Sequence, residues 1–445
     1  MKIHVALTIA GSDSGGGAGI QADLKTFAAF GVHGTTAITT LTAQNTQEVR
    51  GIYPVTPEFV RLQIKTIIKD MGIDAAKTGM LYNAKIINTV SKIIDEEEIP
   101  TVVDPVMIAK SSAKLLLDEA INALKKELIP NALIITPNIP EAEVLTGHKI
   151  SNLKDMEKAA EEISEMGPEG VVIKGGHMEG DEIIDILYHK NKFYRIRKPR
   201  IKTKNTHGTG CTFSAAITAL IAKKKEIPEA VEIASKFMNK TIIHSLKLGK
   251  GYGPVNPIIK LSEKAAKYET WQDILDAMEI IEGSKRLVKL IPEVRMNIGE
   301  AIPDARTPQD ICAIEGRITV VNGRLKAAGY PKFGASRHVA NIILAAMEVN
   351  EEIRAAMNIR YSKEILDRCR ESGMKIVEFN REKEPREIKM KEGSTLRWGI
   401  KKAMSKSAKP PDIIYDTGEK GKEPMIRVLG KNAKEVLKKT MRIIE

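Results

Sequence analysis

Short apolar runs alternate with amphipathic segments along the first 258 residues of the chain. A short apolar run is typical of a buried strand, whereas apolar residues spaced three and four apart are typical of a helix. The predicted strands lie near 5–10, 36–43, 75–77, 101–107, 133–138 and 170–177, with two more between 183 and 202. The predicted helices lie near 20–30, 57–70 and 83–97, one opens at 139, and a buried one follows 210. These repeated units predict an α/β fold with a doubly wound sheet.

A stretch rich in glycine and proline at 249–257 ends this first region. The charged and helical segment 261–267 follows, and Thr270 with Asp273 has the spacing of a helix cap, which predicts a helix from there to about residue 290. We therefore expect a first domain at 1–258, a linker at 259–267 and a second domain at 268–445.

The pattern in the second domain is less regular but still mixes strands and helices. A hairpin is predicted at 317–326 about the Asn-Gly pair at 322–323. Further elements follow in the order helix 339–347, strand 374–379, helix 394–406, strands 412–416 and 425–429, and an amphipathic helix from about 431. The pattern predicts a smaller, mixed α/β domain.

Composition limits the class of protein. Hydrophobic residues make up 42% and charged residues 28% of the 445, as in soluble globular proteins. No segment approaches the roughly 18 apolar residues of a membrane span, and the N-terminus lacks a signal-peptide pattern. The three cysteines are far apart, which argues against a disulfide framework or a zinc site. We expect a cytoplasmic protein without a membrane partner.

The net charge of +12 raises the question of nucleic-acid binding. Aromatic residues are only 4%, too few for a surface that stacks bases, and many lysines lie beside glutamates in helices. A basic chain that handles phosphorylated small molecules explains the charge better. We expect no nucleic-acid partner.

One stretch, 205–216, has the design of an anion-binding site. Gly208 and Gly210 flank Thr209, and a buried helix begins directly after them. Backbone N–H groups freed by glycine and the dipole of the helix both favour a negative charge there. Cys211 stands at the helix start, where a thiolate is stabilised and can accept a proton from a hydroxyl group. The alternative is a structural turn with Cys211 as a small buried hydrophobe.

Polar residues follow the first two predicted strands. A glycine-rich loop at 11–19 leads into a helix with Asp23 in its first turn, and its spacing matches neither a P-loop nor a dinucleotide fingerprint. Gln44 ends the next strand, and its carboxamide offers the donor and acceptor that suit an aminopyrimidine edge. The alternatives are a carboxylate that complements the helix dipole and an ordinary loop glutamine.

Oxygen donors and a lysine follow the later strands. Asp104, Asn138 and Glu141 are suited to a hydrated Mg²⁺ beside nucleotide phosphates, although capping and turn formation would explain each one alone. Lys174 emerges from a central strand next to two glycines, where it can reach phosphate oxygens as a point charge.

In the second domain a glycine-containing loop, 329–338, also enters a helix. Arg337 and His338 fall in the first helical turn, where cations act against the helix dipole. The two cations do not stabilise the helix, but an anionic ligand would explain their position.

The motifs at 10–25, 39–45, 104–107 and 207–211 resemble the hydroxymethylpyrimidine/phosphomethylpyrimidine kinases of the ribokinase superfamily, over about 3–257. The resemblance implies a three-layer α/β/α fold and ATP-dependent phosphorylation of hydroxymethylpyrimidine and then of its monophosphate. It implies that Asp23 and Gln44 hold the pyrimidine, with Met80 and Val106 or Met107 near its ring.

The same resemblance assigns the phosphate end of the site. Asn138 and Glu141 match the Asn-x-x-Glu motif for Mg²⁺ and phosphate, and Lys174 would face the transferred phosphate. Many sugar kinases have an aspartate base where this chain has Cys211, and the pyrimidine kinases share the cysteine. A kinase of the vitamin B6 type is the alternative.

Segments 294–301, 332–338 and 415–424 resemble the ThiN-type thiamine-phosphate synthases, over about 268–440. The resemblance implies that hydroxymethylpyrimidine diphosphate is coupled to hydroxyethylthiazole phosphate with release of pyrophosphate. Arg337, His338 and Lys332 would stabilise the leaving group. The further candidate substrate-binding residues are Asn297, Asp416 and Arg427. The alternative is a regulatory domain that binds thiamine phosphates without catalysis. We expect a homo-oligomer, in the simplest case a dimer.

Overall fold

The computed structural model describes residues 2–107, 115–381, 384–385, 394–405, 409–419 and 421–445. Lys406, the predicted end of a helix, and Lys420, in the predicted loop 417–422, lie outside the described residues. The chain divides between Leu261 and Ser262 into two compact units, which are described one at a time. No helix among the described residues is both long enough and apolar enough to cross a membrane.

A nine-stranded sheet forms the centre of the first unit. Its strands are β1 (Val5–Asp13), β2 (His33–Gln44), β3 (Val49–Pro54), β4 (Ala75–Thr78), β5 (Thr101–Val103), β6 (Ile134–Ile135), β7 (Gly170–Ile173), β8 (Glu182–His189) and β9 (Lys192–Pro199). Their spatial order is β3-β2-β1-β4-β5-β6-β7-β8-β9. The six strands from β2 to β7 in this order pair in parallel, whereas β3, β8 and β9 pair antiparallel at the edges.

Helices cover both faces of this sheet. They are α1 (Gly19–Ala29), α2 (Pro57–Asp70), α3 (Ala84–Glu96), α4 (Asp118–Ala123), α5 (Ile139–Thr146), α6 (Leu153–Ser164), α7 (Thr209–Ala222) and α8 (Ile227–Ile243). One hydrophobic cluster packs α2, α3, α5 and α6 on one face, and another packs α1, α7 and α8 on the other. The predicted doubly wound, three-layer arrangement is confirmed.

Local sequence explains why two of these helices form where they do. The side chain of Asn83 accepts a hydrogen bond from the Ile86 N–H and so caps α3, whose isoleucines at helical spacing are buried. Helix α7 is different, because every residue from Thr212 to Ala222 is buried. A helix that is buried on all sides lies inside the core, so α7 holds the residues at its N-terminus in a fixed position.

The topology gathers polar residues at one edge of the sheet. Strand β1 ends at Asp13, Asp104 follows β5, and Lys174 follows β7. Asn138 pairs with Lys174 in an isolated parallel bridge that continues this edge. Because the order of the strands reverses between β1 and β4, a crevice opens at their carboxyl ends, where ligands bind in sheets of this kind.

Helix α9 (Ile259–Gly283) carries the chain across the division at Leu261. The predicted helix start at Thr270 is wrong, since Thr270 is buried inside α9. Neither proline nor glycine occurs between Ile259 and Gly283, so nothing breaks the helix before that glycine. The predicted linker at 259–267 is therefore helical.

The second unit contains a seven-stranded sheet in the order β14-β11-β10-β15-β18-β17-β16 and a separate hairpin of β12 and β13. The strands are β10 (Asn297–Ala301), β11 (Ile311–Ile314), β12 (Ile318–Val321), β13 (Arg324–Ala327), β14 (Pro331–Phe333), β15 (Ala355–Arg360), β16 (Ile376–Glu378), β17 (Ile413–Asp416) and β18 (Met425–Gly430). All neighbours in the large sheet pair antiparallel except β16 and β17. The hairpin turn has Asn322 and Gly323 both at positive φ, as predicted.

Helices cover both faces of this second sheet as well. They are α10 (Arg337–Met347), α11 (Lys363–Glu371), α12 (Ser394–Ser405) and α13 (Ala433–Arg442). Helices α10 and α12 pack in one hydrophobic cluster, and α9, α11 and α13 pack in the other. The mixed α/β character is confirmed, although the sequence pattern did not reveal the central strands β10, β11 and β15.

Candidate functional site

A cavity of about 1300 Å³ opens at the carboxyl edge of the first sheet. The parts of the chain that line it include the glycine loop at the end of β1, the residues after β5 and β7, and the starts of α5 and α7. Thirteen predicted site residues belong to this unit, and twelve of them line the cavity: Gln44, Met80, Asp104, Val106, Met107, Asn138, Glu141, Lys174, Gly208, Thr209, Gly210 and Cys211. The fold brings together residues that are far apart in the chain.

An ion pair lies at the centre of this cavity wall. Lys174 Nζ donates to Asp104 Oδ1 at 3.1 Å, and Ser214 Oγ donates to Asp104 Oδ2 at 3.3 Å. Burial alone would lower the pKa of Lys174, but the charges of Asp104 and Glu141 outweigh it and raise that pKa above its ordinary value. Lys174 therefore stays a cation beside the cavity.

The ion pair lies directly against the first turn of α7. A Cβ atom added to Gly210 would lie 3.3 Å from Asp104 Oδ2 and 3.5 Å from Lys174 Nζ. Gly208, at φ +80°, precedes the helix, and a Cβ atom there would lie only 1.9 Å from the Gly17 carbonyl oxygen. Only glycine fits at Gly208, because both its φ and the close backbone exclude a side chain.

The start of α7 is open to an anion. No side chain of the described residues caps this helix start, and Gly208 occupies the cap position. The first N–H groups of a helix need partners from outside the helix, and together with the helix dipole they attract negative charge. With Lys174 alongside, this turn supplies both N–H donors and a cation, so the predicted anion hole is present in the geometry.

Asp13 organises the glycine loop that faces α7. Its carboxylate accepts hydrogen bonds from the N–H groups of Gly15, Gly17 and Ala18 at 2.8 to 3.0 Å, and His207 Nε2 lies 2.9 Å from Asp13 Oδ2. Burial acts to raise the pKa of Asp13, but the hydrogen bond and charge of His207 and the N–H donors outweigh it and lower the pKa. Sequence reasoning missed this link, since residues 13 and 207 are joined only by the fold.

Four of the residues predicted to surround a pyrimidine ring line the cavity. Gln44 Nε2 lies 3.4 Å from His207 Nε2, and Met80 and Met107 are almost fully buried in the wall. Val106 also lines the cavity. The group offers one carboxamide among apolar side chains, which suits a flat, partly polar ring.

Asp23 does not line the cavity. Lys77 Nζ donates to Asp23 Oδ1 at 2.9 Å, Thr8 Oγ1 donates to Asp23 Oδ2 at 2.7 Å, and all three side chains are fully buried. Both carboxylate oxygens are thus occupied within the protein, and the geometry does not support the predicted contact with a substrate ring. Lys77 was missed because a lysine within a short apolar strand gives no pattern signal.

Cys211 lines the cavity from the first turn of α7 and is half-buried. Burial raises the pKa of its thiol to about 12, and the positive charge of Lys77 opposes this only in part. The expected stabilised thiolate is therefore contradicted for the site without ligands. Desolvation is the largest cause of the shift, and the charges of Asp23 and Asp104 add to it.

Asn138 and Glu141 have the capping role that the sequence left open as an alternative. The Asn138 side chain accepts from the Glu141 N–H at 2.9 Å and Glu141 Oε2 accepts from the Asn138 N–H at 2.8 Å, which is a capping box for α5. Both residues also line the cavity. Burial raises the pKa of Glu141 to about 7, with Lys174 opposing and Asp104 adding to the shift.

The same residues offer oxygen donors of the kind that Mg²⁺ prefers. Among the described residues no group of three or more His, Cys, Asp or Glu side chains could hold a metal ion directly. Asp104 and Glu141 nevertheless place two carboxylates close enough to raise the pKa of Glu141, a situation that a divalent cation relieves. The donor set fits a hydrated Mg²⁺ held through water and not a closed protein cage.

A second cavity, of about 560 Å³, lies in the second unit. Three exposed arginines line it, Arg295, Arg317 and Arg337, against a single carboxylate from Glu293. Asn297 and His338 complete the predicted residues in the wall. The cavity has a strong excess of positive charge and is suited to a multiply charged anion. Sequence reasoning missed Arg295 and Arg317, since neither stands at a helix start.

His338 lies in the first turn of α10 behind these arginines. Its Nε2 atom is buried and has no hydrogen-bond partner among the described residues. Burial lowers the pKa of His338 to about 4, and the charges of Arg427, Arg317 and Arg381 act in the same direction. The expected cation at this position is wrong, because a neutral imidazole is favoured at neutral pH.

Two predicted residues, Asp416 and Arg427, lie behind the wall and do not line the cavity. Arg427 Nη1 lies 2.8 Å from Asp416 Oδ2, and Arg381 Nε lies 2.6 Å from Asp416 Oδ1. All three are buried, so they form a charge network that faces His338. Lys332 also lies outside the wall, paired with Glu315.

Asn297 is already satisfied by backbone groups. Its Nδ2 donates to the Ile314 carbonyl at 2.9 Å and its Oδ1 accepts from the Ile314 N–H at 3.1 Å. Its own N–H donates to Asn358 Oδ1 at 2.8 Å. The residue therefore fixes the strand beneath the cavity, and direct substrate contact has no support in these bonds.

Comparison with protein families gives two matches. Residues 13–256 match the family described as phosphomethylpyrimidine kinase, and residues 273–442 match the family described as thiamine-phosphate synthase ThiN. The bifunctional thiamine biosynthesis protein ThiDN of Methanocaldococcus jannaschii is 34% identical over 437 residues, which cover 98% of this chain and 97% of the relative. The hydroxymethylpyrimidine/phosphomethylpyrimidine kinase of Bacillus subtilis is 53% identical over 258 residues, 58% of this chain and 95% of the relative.

Solved structures resemble the first unit. An ADP complex of Bacillus subtilis pyridoxal kinase is 41% identical, with a TM-score of 0.54, and covers 57% of this chain and 97% of that structure. Staphylococcus aureus pyridoxal kinase in complex with AMP-PCP and pyridoxal is 35% identical, with a TM-score of 0.54, over 58% of this chain and 94% of that structure.

Proposed function

Since the chain belongs to the family of bifunctional thiamine biosynthesis proteins that join a phosphomethylpyrimidine kinase domain to a ThiN domain, we propose that each unit catalyses one stage of a single synthesis. The first unit phosphorylates hydroxymethylpyrimidine and then its monophosphate. The second unit couples the resulting diphosphate to hydroxyethylthiazole phosphate, which gives thiamine phosphate and pyrophosphate.

For the kinase, the open start of α7 beside Lys174 is the observation that carries the proposal. The N–H groups of this turn and the Lys174 ammonium hold the transferred phosphate, while Gln44, Met80 and Met107 hold the ring. A loose phosphoryl-transfer transition state spreads charge over three oxygens, and donors already in place stabilise it. ATP as the donor agrees with relatives solved with ADP and with AMP-PCP.

Cys211 is the proposed acceptor of the substrate hydroxyl proton. With a pKa of about 12, forming its thiolate at pH 7 costs about 7 kcal/mol in the site without ligands. Phosphoryl transfer depends chiefly on positioning and charge stabilisation, so proton transfer to Cys211 contributes less than the anion hole. Lys77 is the buried cation whose charge favours the thiolate.

Mg²⁺ is part of the proposal for the kinase. Asp104, Asn138 and Glu141 would hold it through water at the edge of the cavity. When bound, it neutralises charge on the nucleotide phosphates. Removing the metal with a chelator should abolish ADP formation, and adding Mg²⁺ back should restore it.

A pyridoxal-type kinase is the second candidate, and the likeness of the first unit to two pyridoxal kinase structures favours it. ADP formation with hydroxymethylpyrimidine, its monophosphate, pyridoxine and pyridoxal as separate substrates distinguishes the two. Turnover of the pyrimidines at a higher kcat/KM supports our proposal. Turnover of pyridoxine or pyridoxal alone would replace it.

For the second unit, the cavity with three exposed arginines carries the proposal. Loss of pyrophosphate from the methylene carbon on the pyrimidine develops negative charge on the leaving group, which Arg337 and its neighbours stabilise. The neutral imidazole of His338, buried against the charge network, provides a hydrogen-bonding group at the same wall. Three guanidinium groups match phosphate oxygens by paired hydrogen bonds.

The alternative function of the second unit is that of a sensor that binds thiamine phosphate without catalysis. The full chain, given hydroxymethylpyrimidine diphosphate and hydroxyethylthiazole phosphate without ATP, bypasses the kinase. Release of pyrophosphate under these conditions supports the synthase. Tight binding of thiamine phosphate with no release supports the sensor.

The proposed ligands are small molecules only. A homodimer and a cytoplasmic location stay predictions, and sedimentation of the purified chain measures the first of them.

A further inference from the structure

The loop 292–295 at the edge of the second cavity is held in an unusual backbone conformation. The Arg295 N–H donates to the Pro292 carbonyl at 2.9 Å and closes a tight turn. Arg295 itself has φ +69°, in the left-handed region that residues other than glycine rarely adopt. Such a conformation persists only where the surroundings hold it, and it commonly marks a functional position.

Glu423 holds this turn from a distant part of the chain. Its carboxylate accepts two hydrogen bonds, from the Glu293 N–H to Oε1 at 2.9 Å and from the Val294 N–H to Oε2 at 3.0 Å. Glu423 belongs to the segment 415–424, which stood out in the sequence, and Glu423 itself has no place so far in the proposed chemistry. Two bonds from one charged group to consecutive N–H groups make a firm attachment.

Two further contacts hold the carbonyl side of the turn. Arg317 Nη1 donates to the Val294 carbonyl, and Asn358 Nδ2 donates to the Arg295 carbonyl at 3.0 Å. Every one of these bonds fixes the backbone and leaves the Arg295 side chain alone. Within the described ranges, the Arg295 guanidinium makes no hydrogen bond or ion pair, and it is exposed in the cavity wall.

A cation with a fixed backbone and no protein partner is arranged for a ligand. The cost of ordering the backbone is met before the ligand arrives, which raises affinity. Among the described residues Glu423 forms no ion pair with Arg295, and both of its carboxylate oxygens accept from backbone N–H groups. Its position explains instead how Arg295 keeps a left-handed conformation at the cavity.

We propose that Arg295 is an additional anion-binding residue of the second unit and that Glu423 is the positioning residue that holds it there. The anion is a diphosphate or pyrophosphate group, and in naming it the inference rests on the proposed synthase function. Binding of free pyrophosphate tests the arrangement without any turnover.

The experiment measures the Kd for inorganic pyrophosphate by calorimetry on the full chain. In Arg295→Asn, asparagine tolerates positive φ but removes the charge, and we expect Kd to rise about tenfold. Glu423→Gln keeps the shape of the side chain but places an NH2 group against one of the two backbone N–H groups. We expect its Kd for pyrophosphate to rise about fivefold. Glu419→Gln in the same loop and Arg324→Asn on β13 are matched controls that should leave Kd unchanged.

The double variant Arg295→Asn/Glu423→Gln decides how Glu423 acts. If it acts through Arg295, the double variant binds no more weakly than Arg295→Asn alone. Additive losses would overturn the positioning role, and an unchanged Kd in Arg295→Asn would overturn the binding role. If thermal unfolding shows that Glu423→Gln is not folded, Glu423→Asp replaces it. We expect Glu423→Asp to raise Kd by an intermediate factor, and an unchanged Kd would contradict the proposal.

Failure of the synthase and failure of this inference give different results. A chain that binds pyrophosphate through Arg295 but releases none from the two precursors leaves the inference standing and removes the synthase. If the parent chain releases pyrophosphate from the precursors and Arg295→Asn binds pyrophosphate normally, the synthase stands and the inference is overturned.

Discussion

The two cavities present different kinds of groups to an anion. In the first unit the candidate donors are backbone N–H groups at the start of α7, and Lys174, which lies against that turn, is paired with Asp104. In the second unit the donors are exposed guanidinium groups on three separate segments. A kinase must place one phosphate in line with one hydroxyl group, which suits rigid backbone donors. A departing pyrophosphate instead needs charge from several sides, which suits arginine.

The two cavities agree in one respect. Each contains a side chain that burial keeps neutral at pH 7, with the pKa of Cys211 raised to about 12 and that of His338 lowered to about 4. The surrounding charges differ, since carboxylates lie near Cys211 and arginines lie near His338. Desolvation is the largest cause in both cases, so position relative to water governs these groups more than their neighbours do.

The largest effect should follow a change in the rigid backbone site. In Gly208→Ala the new methyl group meets the Gly17 carbonyl oxygen and φ is unfavourable, so the turn at α7 must shift. We expect kinase turnover to fall about 10³-fold, while pyrophosphate release from supplied precursors is unchanged. ADP and pyrophosphate assays on the same preparation measure both.

Gly176→Ala is the control for this prediction, because Gly176 lines the same cavity and has open space for a methyl group. Its kinase activity should stay near that of the parent chain. Equal kinase losses in both variants would contradict the role given to the α7 turn.

A smaller effect should follow the loss of one of several arginines. Arg337→Gln removes one guanidinium group from the second cavity, and we expect pyrophosphate release to slow about 10²-fold with kinase turnover unchanged. The remaining arginines limit the loss. Stopped reactions with supplied precursors measure it, and a loss as large as that of Gly208→Ala would show that the positive charges do not share the task.

The pH dependence of stability tests the neutral imidazole. The pKa of His338 is about 4 in the folded chain and about 6.5 when unfolded, so the unfolded state binds more protons between these values. Stability from this group is therefore present above about pH 6.5 and is lost as pH falls toward 4, by about 2 to 3 kcal/mol.

His338→Gln should remove that part of the pH dependence. Thermal unfolding at pH 7 and pH 5 should show a smaller difference in Tm for the variant than for the parent chain. An identical difference in both would mean that His338 titrates normally. His244→Gln in the first unit serves as the matched control.

The smallest effect is expected at Cys211. Cys211→Ala leaves the anion hole in place, and we expect kcat to fall about tenfold with little change in the KM for ATP. Because the thiol pKa is about 12, the pH profile between 6 and 9 should keep its shape. A loss beyond about 10³-fold would show that bound ligands turn Cys211 into a strong base.

Local pattern predicted the first unit better than the second. Helix α3 shows why, because its cap at Asn83 and its isoleucine spacing are both written in adjacent residues. Strand β10 carries Asn297 and Glu300, and β15 carries Asn358, and these polar side chains are buried in a sheet that is covered on both faces. A strand of that kind has no alternation that a single sequence reveals.

The sequence by itself determined the α/β architecture, the glycine turn at Gly208–Gly210 before a buried helix and the place of Arg337 and His338 at a helix start. These depend on spacing and on glycine conformation, which are local properties. Only the tertiary structure showed that Asp23 serves Lys77, that Asp13 meets His207, and that Glu423 holds the turn before Arg295. The tertiary structure also decided the protonation states of buried groups, because the charge of a buried group depends on its access to water and on the charges that the fold places near it.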